Sequence, residues 1–188
     1  MKKKNAFSYL YNINPDTKAY LIEVSLDHYT EIFNGWDASP LRRRDMEPEL
    51  LDYIEQAGYE IPLKEQVELC FYIPKEIKNE DRENKSIAGI KNNFQIVLFF
   101  IQKLLYKYYR QALTYIVLAI LFLLAAYLLR DASAEYLLFS ILIEGLFVGG
   151  WFLLWGAFSI FFFDSFETRK RRKVFRRFAD SPIYFKRK

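Results

Sequence analysis

The chain reads as a small α+β cytoplasmic domain joined to a two-helix transmembrane hairpin. Three observations predict this class. Two long apolar runs, Leu113–Leu129 and Tyr136–Phe163, are separated only by Arg130-Asp-Ala-Ser-Ala-Glu135. The first holds 17 residues without a charge, and the second 28 residues with one, Glu144. A helix rises ~1.5 Å per residue, so roughly 20 residues cross a bilayer core. Upstream, two short stretches alternate apolar and polar residues at strand period, with helix-period segments between and after them.

Five segments follow: a tail over 1–17, a cytoplasmic module over 18–92, an amphipathic linking helix over 93–110, the hairpin over 111–163, and a basic helix with a terminal strand over 164–188. Asn14-Pro15-Asp16 marks a turn. In Lys18–Leu26, Tyr20, Ile22, Val24 and Leu26 alternate with Leu21, Glu23 and Ser25, which predicts a strand with one buried face and a partly covered second. Tyr29, Ile32, Phe33 and Trp36 share helical spacing, which predicts a short helix over His28–Trp36. Pro40 forces Ser39 out of helical geometry, giving a turn. Pro48 suits a first helical position, so a helix is expected over Pro48–Ala57, stopped by Gly58. Gln66–Ile73 is a second strand with Val67, Leu69, Phe71 and Ile73 on one face, ended by Pro74. Lys75–Lys85, apolar only at Ile77, predicts an exposed loop. From Ser86, the spacing of Ile87, Ile90, Phe94, Val97 and Leu98 is helical. Joined without a break to the first apolar run, this helix would exceed twice the ~30 Å hydrocarbon core, so it must bend near Arg110 or project as a stalk. Asp164–Ala179 continues as a basic helix, and Pro182-Ile-Tyr-Phe-Lys is a third strand to pair with the earlier two.

Charge sets the expected orientation. Residues 1–92 carry 13 basic and 17 acidic side chains, and residues 93–188 carry 14 and 6. The basic excess flanks the hairpin, through Lys103, Lys107 and Arg110 before it and Arg169, Lys170, Arg171, Arg172, Lys173, Arg176 and Arg177 after it. Basic flanks favour the cytoplasmic side, which predicts an inner-membrane protein with both termini inside. No apolar core of a secretory signal follows Met1-Lys-Lys-Lys, in keeping with a cytoplasmic N-terminus. The post-hairpin run reads as a ligand for anionic headgroups, so the lipid bilayer is the expected partner and nucleic acid is not.

Several residues stand out chemically. Glu144 is costly in hydrocarbon; it reads as a proton-relay or pore-lining group, or as a helix–helix hydrogen bond or interfacial carboxylate. Gly145 and Gly149, with Gly150, Trp151 and Trp155, form a close-packing face, within the hairpin or between chains. Arg42, Arg43, Arg44 and Asp45 form a partner or anion surface, or a solvated charged turn. Cys70, the one cysteine, lies in an apolar run and reads as a core thiol, and His28 is the one histidine. One of each makes no zinc site, so neither metal nor cofactor is expected. Phosphate-loop, zincin and Ser-His-Asp patterns are missing, so an enzyme is not expected.

The segment Ile32-Phe-Asn-Gly-Trp-Asp-Ala-Ser-Pro-Leu-Arg-Arg-Arg-Asp-Met-Glu-Pro-Glu resembles one found in a group of bacterial two-span membrane proteins of unknown function, with the pattern F-N-x-x-D-x-S-P…R-D-[LM]. Phe33, Asn34, Asp37, Ser39, Pro40, Arg44 and Asp45 carry the match. The resemblance implies the module-plus-hairpin architecture and no activity. These features predict a membrane-anchored, oligomeric interaction protein that presents its module to a soluble partner. The alternative is a pore-forming or membrane-perturbing effector gated by that module.

Overall fold

A computed structural model describes residues Leu10–Arg130 and Leu137–Lys188. The expected hairpin link and the start of the second run, residues 131–136, lie outside the described residues, as does most of the N-terminal tail. The elements are β1 (Tyr20–Ser25), a 3-10 turn (Tyr29–Ile32), α1 (Pro48–Glu60), β2 (Val67–Ile73), a second 3-10 turn (Lys75–Ile77), α2 (Glu80–Leu129), α3 (Leu137–Ser159), a π-helical turn (Ile160–Asp164), α4 (Ser165–Asp180) and β3 (Ile183–Arg187). They divide into two compact units, one through Phe100 plus Arg171–Lys188 and one over Ile101–Lys170. The first unit thus reaches beyond residue 92 and takes in the C-terminal segment.

The first unit is built on a sheet of order β1-β2-β3. Both pairings are parallel, with Ile22 opposite Leu69 and Leu69 opposite Ile183. The expected third strand is present, and it pairs with β2 alone, which makes β2 central. Parallel strands cannot be joined by a tight turn, so each connection is a crossover. One crossover carries α1; the other carries α2, α3 and α4 before the chain returns as β3.

Strand period gives the sheet two unlike faces. Ile22, Val24, Val67, Leu69, Phe71, Ile73 and Ile183 lie on the buried apolar face. The helices contribute Ile54, Ala57, Ile90, Phe94, Val174, Phe175 and Phe178, all buried. Rings meet here edge-on and tilted, with Phe94 6.1 Å from Phe175 and 5.6 Å from Phe178. The opposite face carries Glu23, Glu68, Cys70, Tyr72, Tyr184 and Lys186. Residues 11–17 are tied to it by side-chain bonds. Asn12 donates to Glu23 at 2.6 Å, and Asn14 and Thr17 donate to Glu68 at 2.8 and 2.7 Å. Tyr184 adds a third donor to Glu68 at 2.9 Å, so this carboxylate is satisfied although only 3% exposed. Burial pushes Glu68 up, but the three hydrogen bonds outweigh it and hold the carboxyl below its usual value. Cys70 is buried as expected, and burial raises its thiol.

Three local expectations are corrected by tertiary context. The helix expected over His28–Trp36 shrinks to Tyr29–Ile32, because the Asn34 side chain takes the Trp36 N–H at 2.9 Å and turns the backbone away. α1 does not stop at Gly58 but runs to Glu60. Gly58 is needed inside the helix, where a Cβ would stand 2.5 Å from Val174 and Phe178. The loop expected over Lys75–Lys85 is largely ordered: α2 already begins at Glu80. Asn79 Oδ1 accepts the Arg82 N–H at 3.0 Å, and Glu80, Asp81 and Glu83 complement the positive helix start. α2 runs past Arg110 without a break in its helical backbone, over 50 residues. Its early apolar stripe is not spare surface, because Ile90, Phe94 and Leu98 are buried.

Candidate functional site: an apolar hairpin and a stapled loop

In the second unit, α2 and α3 pack as an antiparallel pair along a narrow seam. Every seventh residue of α2 is buried, through Leu105, Ala112, Ala119 and Ala126. α3 answers with Gly150 and Ala157, also seven apart. A seven-residue repeat keeps one stripe facing a partner helix at a shallow crossing. Small residues permit the approach. A Cβ on Gly150 would lie 2.7 Å from Leu123 Cγ and 3.3 Å from the Ala119 carbonyl oxygen, and one on Gly149 would lie 3.2 Å from Phe122. Gly156 meets Tyr115 in the same way. Gly149 and Gly150 are therefore packing residues within the hairpin, whereas a Cβ on Gly145 would point into open space. Trp151 and Trp155 take no part in the α2–α3 seam: both are exposed on the outer surface, and Trp155 stacks on Phe158.

Outside the seam the surface is apolar. Leu113, Val117, Ile120, Leu121, Leu124 and Leu128 of α2 are exposed, as are Val148, Phe152 and Phe158 of α3. Among the described residues, two helices are long and apolar enough to cross a membrane, and only 17% and 6% of their most apolar stretches are buried. Glu144 is exposed. An open groove of about 590 Å³ is lined by Glu144, Ser140, Tyr127 and Arg130, with Ala126, Ile143, Phe147 and Val148.

The π-helical turn sits where the apolar surface ends. The Phe161 carbonyl accepts from Ser165 Oγ at 2.7 Å and from Arg169 Nη2 at 3.1 Å. The Arg169 guanidinium also lies over the Phe161 ring, 5.5 Å from its centre. Tyr109 approaches the same ring at 6.2 Å.

The basic run of α4 divides by function. Arg172, Lys173 and Arg176 are exposed. Arg171 binds Glu55 through two contacts of 2.8 Å. Arg177 is corrected outright as a headgroup ligand. Its Nη2 donates to Gly58 O at 2.6 Å and its Nη1 to Pro62 O at 2.9 Å, with longer bonds to Ile61 O and Glu65 O. It satisfies carbonyls at the end of α1, where a helix has no internal donors. Burial lowers its pKa, and nothing in the sequence separates it from Arg176 next door.

The Arg42–Asp45 cluster belongs to a stapled loop. An isolated antiparallel bridge joins Phe33 to Met46 and closes it. Asp37 accepts the Ser39 and Asp45 N–H groups at 2.9 and 2.8 Å, which hold its carboxyl below the usual range. Pro40 O accepts from Arg43 and Arg44, and Arg44 Nε returns to Ser39 O at 2.9 Å. Buried Asn93 of α2 binds the Met46 N–H and the Arg44 carbonyl. Gly89 allows the approach, since a Cβ there would stand 2.4 Å from Leu41 O. Each residue of the F-N-x-x-D-x-S-P…R-D segment thus has a structural task. Arg44 and Asp45 are loop-closing residues, and Asn93 is a partner that sequence spacing does not reveal. Trp36, Arg42 and Arg43 are left facing outward, Trp36 at 97% exposure.

Fold and surface define a protein with a small parallel αβ unit and two long apolar helices. Comparison with protein-family models, curated proteins and solved structures finds no match for this chain.

Proposed function

We propose that this chain is a membrane-anchored interaction protein whose hairpin spans the bilayer and whose αβ unit meets a soluble partner in the cytoplasm. The observation that carries the anchor is the outer surface of α2 and α3. A soluble helix pair buries its apolar residues, whereas this pair buries an alanine–glycine seam and leaves leucine, phenylalanine and tryptophan outside. α3 alone extends ~35 Å at 1.5 Å per residue, enough for a hydrocarbon core. Arg172, Lys173 and Arg176 bind anionic headgroups, and Lys103, Lys107 and Arg110 mark the same side of the bilayer. Self-association would use the exposed face that contains Gly145, because Gly149 and Gly150 already serve the hairpin.

Liposome flotation after alkaline washing tests the anchor. The chain is expected to float with the lipid and to resist extraction; release into the wash would refute it. The partner half is tested by quantitative pull-down from cytosol with the full chain in nanodiscs, where no enrichment over empty discs would remove its support. A second reading, a pore, rests on Glu144 in the open groove. It requires ion flux through liposomes that falls in Glu144→Gln.

A further inference from the structure

The stapled loop between Phe33 and Met46 displays an indole with no contact role in the fold. Trp36 is 97% exposed, the most solvated large apolar side chain among the described residues. A flexible loop could fold such a ring onto the protein, but this one is held out by hydrogen bonds at Asn34, Asp37, Arg44 and Asn93. Asp37 turns its carboxylate onto backbone N–H groups, and Arg44 turns its guanidinium onto Ser39 O. That leaves Arg42 and Arg43 as outward cations on the same closed loop as the outward indole, against one outward carboxylate, Asp45.

We propose that this loop rests on an anionic lipid surface, with Trp36 entering the headgroup layer and Arg42 and Arg43 binding lipid phosphates. The proposal rests on the membrane-anchor reading. An indole with an apolar body and one N–H donor suits the boundary between headgroups and hydrocarbon, and neighbouring arginines add attraction to anionic lipid. A protein hot spot uses the same residue types, but the anchor favours lipid. A module tied to the membrane meets lipid at high effective concentration, so a weak contact of one ring and two charges suffices. The staple lowers the ordering cost, because the loop is already formed before contact.

The test uses the full chain in nanodiscs holding one copy, of neutral phosphatidylcholine or of the same lipid with phosphatidylglycerol. Trp151 and Trp155 are replaced by Phe, so Trp36 is the only fluorophore of the three tryptophans. With anionic lipid, Trp36 emission should shift to the blue and be quenched by headgroup-labelled lipid, and raised salt should reverse both. Arg42→Gln with Arg43→Gln should lower the docked fraction relative to the undocked by about 30-fold, from ~1 kcal/mol per cation near an anionic surface. Emission of a solvated indole in both lipids, without quenching, would overturn the proposal. So would a blue shift that appears only on adding soluble protein or a second copy. If the double Phe variant misfolds, 5-fluorotryptophan in the unsubstituted chain, assigned with Trp36→Phe, reads the same contact by fluorine NMR. A chain that fails to float with liposomes defeats the anchor and the loop together; one that floats with Trp36 solvated defeats only the loop.

Discussion

Replacing Arg177 separates a structural cation from its lipid-facing neighbours. Arg177→Met keeps the aliphatic stem and removes the guanidinium. Two short bonds are lost, to Gly58 O at 2.6 Å and Pro62 O at 2.9 Å, together with two longer ones. A hydrogen bond to a charged group contributes about 1.5–3 kcal/mol, and the end of α1 would keep carbonyls without donors. The expected destabilisation of the αβ unit is therefore about 3–5 kcal/mol. Cys70 supplies the assay, because it is the one cysteine and is fully buried in the central strand. A maleimide reaches it only when the unit opens, so the labelling rate in the fast-reclosing regime follows the opening equilibrium. A loss of 3 kcal/mol accelerates labelling on the order of 100-fold. Arg176→Met, one position away and exposed, should leave labelling unchanged and weaken binding to anionic lipid. Labelling of Arg177→Met within twofold of the wild type would refute the assignment.

Further expectations follow from the same contacts. Gly150→Leu should open the hairpin seam, since even its Cβ would press on Leu123 and Ala119 O, at a cost of roughly 1–3 kcal/mol for overpacking; Gly145→Leu should not, and cysteine cross-linking between α2 and α3 distinguishes them. Glu68→Gln should loosen residues 11–17, because an amide has a single accepting oxygen and its NH2 would face a donor; faster amide exchange at Asn14–Ala19 is the readout. Acid should act likewise. The folded Glu68 carboxyl titrates below its unfolded value of about 4.3, so its stabilisation is full above that pH and is lost as pH falls through the lower folded value. Amide exchange followed from pH 6 to pH 2 checks the sign. Gly89→Val should detach the stapled loop from α2, seen as exchange at the Met46 amide, since its Cβ would overlap Leu41 O.

Much of the architecture is legible in local sequence because its causes are local. Alternation at strand period marks Tyr20–Ser25 and Val67–Ile73. Apolar runs of bilayer length mark the long helices, and Pro48 marks the start of α1. The seven-residue alanine spacing of α2 is also present in the sequence, at Ala112, Ala119 and Ala126, and marks the hairpin seam, whereas of Gly145 and Gly149 only Gly149 lies in it. The loop motif signals turns through Asn34, Asp37 and Pro40, but not its anchorage, because Asn93 and Gly89 lie about 47 residues away in α2.

The amino-acid order alone thus determined that the chain has a short-stranded domain, two long apolar helices and a basic margin, since periodicity, length and charge act between near neighbours. Tertiary structure decided the parallel order β1-β2-β3, the extension of α1 through Gly58, and which cations turn inward. Arg176 and Arg177 are chemically alike and adjacent. Only the carbonyls of Gly58, Ile61, Pro62 and Glu65, 112 to 119 residues away, make one of them a structural bolt and leave the other to solvent. That difference is set by partners brought together in folding, and no local pattern encodes it.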